Sequence, residues 1–218
     1  MIREVVLATR NRHKVIELVA LLRDLGITIR SLDEFPDAPD VVEDGATCEA
    51  NAIKKARAIA EFTGLPAVAD DTGLEVDALG GRPGVYAARY AGENATYDDN
   101  CRKLLRELTG VPRERRTARF LTVAALALPS GEVRVAQGIL DGTIAEEASG
   151  TVGFGYDPVF FVPELGKTLA QISADQKNTI SHRAKAFTQA KDLLRKMNDE
   201  VLESGHSTAR SEPALRSE

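Results

Sequence analysis

Two aspartates stand side by side at Asp70 and Asp71, directly after the apolar run Ala67-Val68-Ala69 and before Thr72-Gly73. Adjacent carboxylates at the C-terminal end of a buried strand repel each other and lose water, so they are costly unless a cation joins them. Mg²⁺ suits such a pair, because hard cations prefer carboxylate oxygen. Glu43 and Asp44, in an acidic loop, can add a ligand. A polar turn with an Asx hydrogen bond, and solvated loop acids, account for the same residues without a metal.

A second segment, Thr9-Arg10-Asn11-Arg12-His13-Lys14, lies where a strand gives way to a helix. Unpaired N–H groups and the dipole make a helix N-terminus a seat for phosphate, and Lys14, one turn in, reaches the same anion. A capped helix with a basic, solvated first turn has the same appearance. Neither GxxxxGK[ST] nor GxGxxG occurs, so the P-loop and Rossmann fingerprints are absent. In Gly153-Phe154-Gly155-Tyr156-Asp157-Pro158 the glycines permit close backbone approach, and two aromatic faces can hold a planar base. Core filling is the plainer use of those rings. Lys177 and the run Ile180-Ser181-His182-Arg183 mark another helix start, where an arginine opposes the dipole. Its donor fork fits carbonyl oxygen or phosphate, and a solvated cap is the alternative. Together the four segments supply phosphate seats, a carboxylate metal site, an aromatic slot and a base-facing Arg, the parts of an enzyme acting on nucleoside triphosphates.

The elements that must position these groups follow from apolar periodicity. Val5 to Ala8 reads as a buried strand, and Val15, Leu18, Val19, Leu22 and Leu25 as one face of a helix closed by Gly26. Ile27 to Leu32 forms a second strand. Thr47 caps a helix with Ala52, Ala56, Ile59, Ala60 and Thr63 inside, and Tyr97, Cys101, Leu104, Leu105 and Leu108 line a third. Ala118 to Leu128 is apolar on both faces, as a central strand is. Val133, Val135, Gln137 and Ile139 alternate beside it across a Pro-Ser-Gly turn, which gives an antiparallel hairpin. Ser181 caps a long final helix carrying Phe187, Ala190, Leu194, Met197 and Val201. The expected fold is α/β, with a mixed rather than purely parallel sheet. A single catalytic domain spans 1–203, and the polar stretch 204–218 is expected to be a disordered tail.

Composition narrows the classes. The 218 residues are 43% apolar and 28% charged, ordinary for a globular protein. No apolar run approaches the ~18 residues of a membrane helix, and Arg10, Arg12 and Lys14 follow the first apolar stretch too soon for a signal peptide. A net charge of −5 speaks against nucleic acid as a partner. Cys48 and Cys101 form no CxxC, which suits buried thiols in a reducing cytoplasm.

The sequence resembles the inosine/xanthosine triphosphate pyrophosphatase family over roughly residues 3 to 200. Five blocks carry the likeness in order and spacing: ATRNxxK at 8–14, NAxxKA at 51–56, ADDTGLEVDALGGRPGVYAARY at 69–90, GFGYDPVFF at 153–161 and ISHR at 180–183. The resemblance implies a central mixed sheet flanked by helices, two lobes around a substrate cleft, a homodimer, and Mg²⁺-dependent cleavage of ITP, dITP and XTP to monophosphate and pyrophosphate. It assigns Thr9 to Lys14 to the phosphates, Glu43 and Asp71 to the metal, and Asp71 to the proton acceptor, with Asp70 beside it. Asn51 and Lys55 then face the phosphates and Thr72 the substrate. Phe154, Gly155, Tyr156, Asp157, Lys177, His182 and Arg183 bind the base and substrate. Arg10 and His13 stand where many relatives have Gly, Ala50 where Glu is common, and Thr72 and Ala87 where Ser is common. Two rival readings are a Maf-type pyrophosphatase for other modified nucleotides and a non-catalytic nucleotide-binding regulator.

Overall fold

The computed structural model describes residues 2–208. Its strands are β1 (Glu4–Leu7), β2 (Thr28–Ser31), β3 (Ala67–Val76), β4 (Pro83–Gly84), β5 (Thr117–Ala127), β6 (Val133–Ile144), β7 (Phe160–Val162) and β8 (Lys167–Thr168). The helices are α1 (Arg12–Leu22), α2 (Cys48–Thr63), α3 (Tyr97–Glu107), α4 (Ala174–Ile180) and α5 (His182–Thr208). The strands form one sheet in the order β2-β1-β3-β5-β6-β7-β8, with β4 paired to β3. β1 runs parallel to β2 and β3, and the β3-β5-β6-β7-β8 half is antiparallel throughout. The mixed sheet and the β5–β6 hairpin match the sequence reading.

Strand alternation sorts the core into layers. Val5, Leu7, Val68, Ala124 and Leu126 pack under α1 and α5 with Leu18, Leu22, Phe187 and Leu194. Their neighbours Val6, Ala67, Ala69, Val123 and Ala125 pack on the other face under α2, against Ala52, Ala56 and Ile59. A third cluster joins Leu104, Phe120, Tyr156 and Phe160 at the α3 end. Val19, placed on the inner face of α1 by its spacing, is 43% exposed, because it falls at the edge of the apolar stripe. Helix α4 was not legible as an element of its own: at seven residues it is too short to show a period.

One difference bears on the site, and one expected cap is borne out there. β3 does not end before the aspartates but continues to Val76, pairing with β5 from Ala67 to the end. α5 begins at His182, capped by the Ser181 hydroxyl, which accepts from Ala184 N at 3.1 Å. Its first turn lies on β6 at Gly138, where a Cβ would stand 2.0 Å from the His182 carbonyl oxygen. Only a glycine lets helix and strand come that close. The last helix reaches Thr208, so residues 204–208, expected in the tail, are helical; the rest of that tail, 209–218, lies outside the described residues. Among the described residues no helix is long and apolar enough to cross a membrane.

Candidate active site

Because β3 is extended through the aspartates, their side chains leave on opposite faces of the sheet. Asp70 turns toward α1 and α5. Its Oδ2 accepts from Arg183 Nε at 3.1 Å and Nη2 at 3.0 Å, and lies 3.2 Å from Lys14 Nζ. Asp71 turns toward α2, where Asn51 Nδ2 donates to it at 3.2 Å and Lys55 Nζ lies 3.7 Å away. This corrects the expectation that the two carboxylates share one cation at a strand end. Pleating separates them, and Asp70 is neutralised by the protein itself.

The environments split their acidities. Burial alone would raise Asp70, but Lys14, Arg183 and Lys55 outweigh it and hold its carboxyl well below the usual range. For Asp71 burial prevails over Lys55 and Lys14, and Glu43 adds to it, so its carboxyl is pushed up. Two neighbouring carboxylates driven apart in this way suit different roles. The Cys48 thiol beside Asp71 is pushed up to about 12 by burial and by that charge, so it is inert.

Asp71 opens onto a cavity of about 370 Å³, whose wall also includes Thr9, Lys14, Glu43, Lys55, Thr72 and Tyr97. Phe154, Gly155, Tyr156, Asp157, Lys177, His182 and Arg183 line it as well. Nearly all the expected residues therefore converge. Asp70 and Asn51 stand behind the lining, and Arg12 and His13 outside it. The helix seat is narrower than its sequence suggests, because Asn11 Oδ1 already accepts from His13 N at 3.0 Å and Lys14 N at 3.4 Å. Arg10 lines the cavity but is tied to Asp40 at 3.1 Å and to Ala38 O at 2.8 Å.

Glu43 and Asp71 approach Lys55 Nζ together, at 2.7 and 3.7 Å. Among the described residues no group of three or more His, Cys, Asp or Glu is gathered to hold a metal. Two carboxylates converging on one cationic position nonetheless fit a hard ion that takes its remaining oxygens from phosphate and water.

At the other end, Phe154 carries four neighbours. His13 stacks on it at 5.2 Å and 18°, Tyr97 is tilted at 5.7 Å, and Lys177 Nζ and Arg183 Cζ lie 4.9 and 5.4 Å from its centroid. Tyr97, the first residue of α3, is 38% exposed and lines the cavity. Tyr156 is a core residue whose hydroxyl donates to Ala87 O at 2.8 Å, so it supports the wall without offering a free face. Asp157 Oδ2 accepts from Lys177 at 2.5 Å and from Phe154 N at 2.8 Å. Gly153, at φ +82°, leaves room for that carboxylate, which a Cβ would meet at 2.1 Å.

Sequence reasoning missed Glu17. Three residues after Lys14 on α1, it accepts from Lys177 Nζ at 2.8 Å and from Arg183 Nη1 at 2.7 Å. One carboxylate thus ties both Lys177 and Arg183 to helix α1. Glu17→Gln keeps the shape but sets an amide N–H against one cation. An unsatisfied buried group costs ~1–3 kcal/mol. We expect a lower melting temperature and a KM raised about tenfold; an unchanged KM would reduce Glu17 to a structural tie.

Burial, then Arg183 and Lys177, push His182 well below its ordinary value against the pull of Asp70. The folded chain keeps it neutral, whereas the unfolded chain protonates it below pH ~6.5. Unfolding therefore takes up a proton there, and stability falls as pH drops, by at most ~1.4 kcal/mol per pH unit for one proton. Asp71 and Asp157, both raised by burial, act in the opposite sense as pH approaches the carboxylate range. His182→Gln should flatten the slope of urea-unfolding free energy between pH 7 and 5. Parallel slopes in the two proteins would place the titration elsewhere.

A mixed sheet carrying a cavity lined by lysines, carboxylates and an aromatic ring sets the chain among α/β proteins with a charged binding cleft. The sequence profile of the Ham1 family matches residues 5–193, and the chain belongs to that family. It is 54% identical over 187 residues to a dITP/XTP pyrophosphatase of Geobacillus kaustophilus, covering 86% of this chain and 92% of that one. A dITP/XTP pyrophosphatase of Geobacter sulfurreducens is 53% identical over 189 residues, covering 87% and 95%. The solved HAM1 protein of Coxiella burnetii superposes with a TM-score of 0.81 at 43% identity, over 90% of this chain and all of that one.

Proposed function

We propose that the protein is a cytoplasmic pyrophosphatase that hydrolyses dITP, ITP and XTP to the monophosphate and pyrophosphate. The observation that carries this reading is the opposition, across one cavity, of Asp71, Glu43, Lys14 and Lys55 to Phe154, Lys177, His182 and Arg183. Relatives above 50% identity that bear the name dITP/XTP pyrophosphatase supply the substrate class.

The triphosphate lies along Lys14 and Lys55, with Thr9 beside it and the base against Phe154. Glu43 and Asp71 would hold Mg²⁺, and a bound ion there would neutralise the phosphate charge that builds up in the transition state. Asp71, which opens onto the cavity beside Glu43, accepts the proton of the attacking water. Asp70 stays ionised and keeps Lys14 and Arg183 in place. The lysines meet the charge that develops as pyrophosphate leaves, the usual main contribution in phosphoryl chemistry.

Pyrophosphate release measured over a panel of ITP, dITP, XTP, GTP, ATP and modified pyrimidine nucleotides tests this. Release from the first three, abolished by EDTA and restored by Mg²⁺, is the expected result. Binding without release would indicate a regulator, and a preference for modified pyrimidines a Maf-like activity. We further propose a homodimer, with a light-scattering mass twice the 23.5 kDa of the chain at micromolar concentration; a mass of one chain overturns it.

A further inference from the structure

Thr72 of β3 and Thr122 of β5 are direct cross-strand partners. They lie on the face covered by α5, where side chains opposite each other interact. Thr122 is fully buried, the only hydroxyl in the run from Phe120 to Ala127. Its Oγ1 lies 2.7 Å from Thr72 Oγ1 and 2.6 Å from His182 Nδ1. A chain of two hydroxyls thus leads from the cavity wall to the imidazole.

The far end of the chain sets its direction. Arg183 Nη2 donates to Thr72 Oγ1 at 3.1 Å, and a guanidinium can only donate. The Thr72 proton must therefore point elsewhere. Asp70 Oδ2 is 3.4 Å away and already accepts two N–H groups of Arg183 and faces Lys14. Thr122 Oγ1 is far closer. If Thr72 donates to Thr122, Thr122 must donate onward to Nδ1. Bonds aligned in this sense also polarise one another favourably. The reverse order would leave the Thr72 proton with only the long contact to Asp70.

We propose that Thr122 is a positioning residue for base recognition: its hydroxyl fixes His182 in the tautomer protonated on Nε2, which presents a donor to a carbonyl on the bound base. Among the described residues no protein group bonds Nε2, and His182 lines the cavity. Hypoxanthine and xanthine carry an accepting oxygen at C6. Adenine carries an amino donor there, which would face a second donor. Neutrality of the ring, which burial enforces, makes the tautomer decisive, since a charged imidazole would donate from both nitrogens. The inference rests on the nucleotide reading above.

The test joins ¹⁵N NMR of the substrate-free protein with kinetics. The His182 signals are assigned by their loss in His182→Asn. The wild type should show the proton on Nε2. Thr122→Val keeps the branched shape without the hydroxyl; it should show mixed tautomers and lose about tenfold in kcat/KM for ITP. Its rate with ATP should hold, so the ITP-over-ATP ratio falls about tenfold. Thr122→Ser should stay within about twofold of wild type in both readouts. A wild-type ring protonated on Nδ1 overturns the proposal, whether or not Thr122→Val folds. So does a Thr122→Val enzyme that slows ITP and ATP equally with an unchanged tautomer. A protein that releases no pyrophosphate from any purine triphosphate would instead sink the functional reading, while the tautomer still decides the part played by Thr122.

Discussion

Replacing Asp71 with Asn is expected to lower turnover at least ~10²-fold, the lower range for loss of a general base, with the melting temperature unchanged or raised. Both halves of that expectation come from the same surroundings. Burial and Glu43 press against the charged form of Asp71, so the folded protein bears a cost for keeping it ionised. Asparagine removes that cost and keeps the outline. Lys55 does not lose its neutralisation, because it still has Glu43 at 2.7 Å and the Asp70 carbonyl oxygen at 2.7 Å. What disappears is the carboxylate that opens on the cavity, and with it both the proton acceptor and one charge toward the metal. Asp70→Asn should behave in the opposite way. Its charge is the counterweight of Lys14 and Arg183, and taking it away leaves two buried cations under-compensated, so the melting temperature falls. Pyrophosphate release and thermal unfolding of the two variants separate base from anchor. Near-wild-type turnover in Asp71→Asn would move the base to Asp70 or to bulk hydroxide.

The pair also shows where sequence reading stops. The motif blocks brought Asp70 and Asp71 to notice, but treating them as a strand end made them a shared metal site. Pairing of β3 with β5 through Val76 is a tertiary fact, and it alone sends the two side chains to opposite faces. The hairpin, the α2 face and the caps at Thr47 and Ser181 were legible, because period, turn residues and capping oxygens are local signals. Glu17 was not: a glutamate on the polar side of an amphipathic helix looks solvated until α5 brings Lys177 and Arg183 to it. The i+3 spacing from Lys14 was its one available sign. Thr122 was hidden for the converse reason, since a single hydroxyl in an apolar strand reads as β-branched filling. Tyr97 marks α3 by its spacing, but spacing alone does not say whether an end residue faces core or cleft, and it faces the cleft.

Arg183→Ala is expected to cost more stability than a cleft residue normally does, and to shrink the ITP-over-ATP preference as well. A guanidinium has five N–H groups. Four are accounted for: Nε and Nη2 to Asp70, Nη2 also to Thr72, and Nη1 to Glu17. One remains for a substrate, so Arg183 can give the base a single hydrogen bond. Its larger part is electrostatic. Asp70 is fully buried, and its Oδ1 is the one buried side-chain polar atom without a partner among the described residues. With Arg183 gone, Lys14 is the one ion pair left to that charge among the described residues, with Lys55 acting from farther off. Removing one member of a buried ion pair costs about 3–5 kcal/mol. In a chain of this size each kcal/mol moves the melting temperature by ~2–4 °C, so a fall of at least ~6 °C is expected. The lost hydrogen bond to the base should reduce the ITP-over-ATP ratio by about tenfold. The two readouts need not move together. A large fall in melting temperature with an unchanged ratio would make Arg183 an anchor for Asp70 and leave discrimination to His182. An unchanged melting temperature would show that Asp70 finds another partner or takes up a proton, against the acidity its surroundings impose.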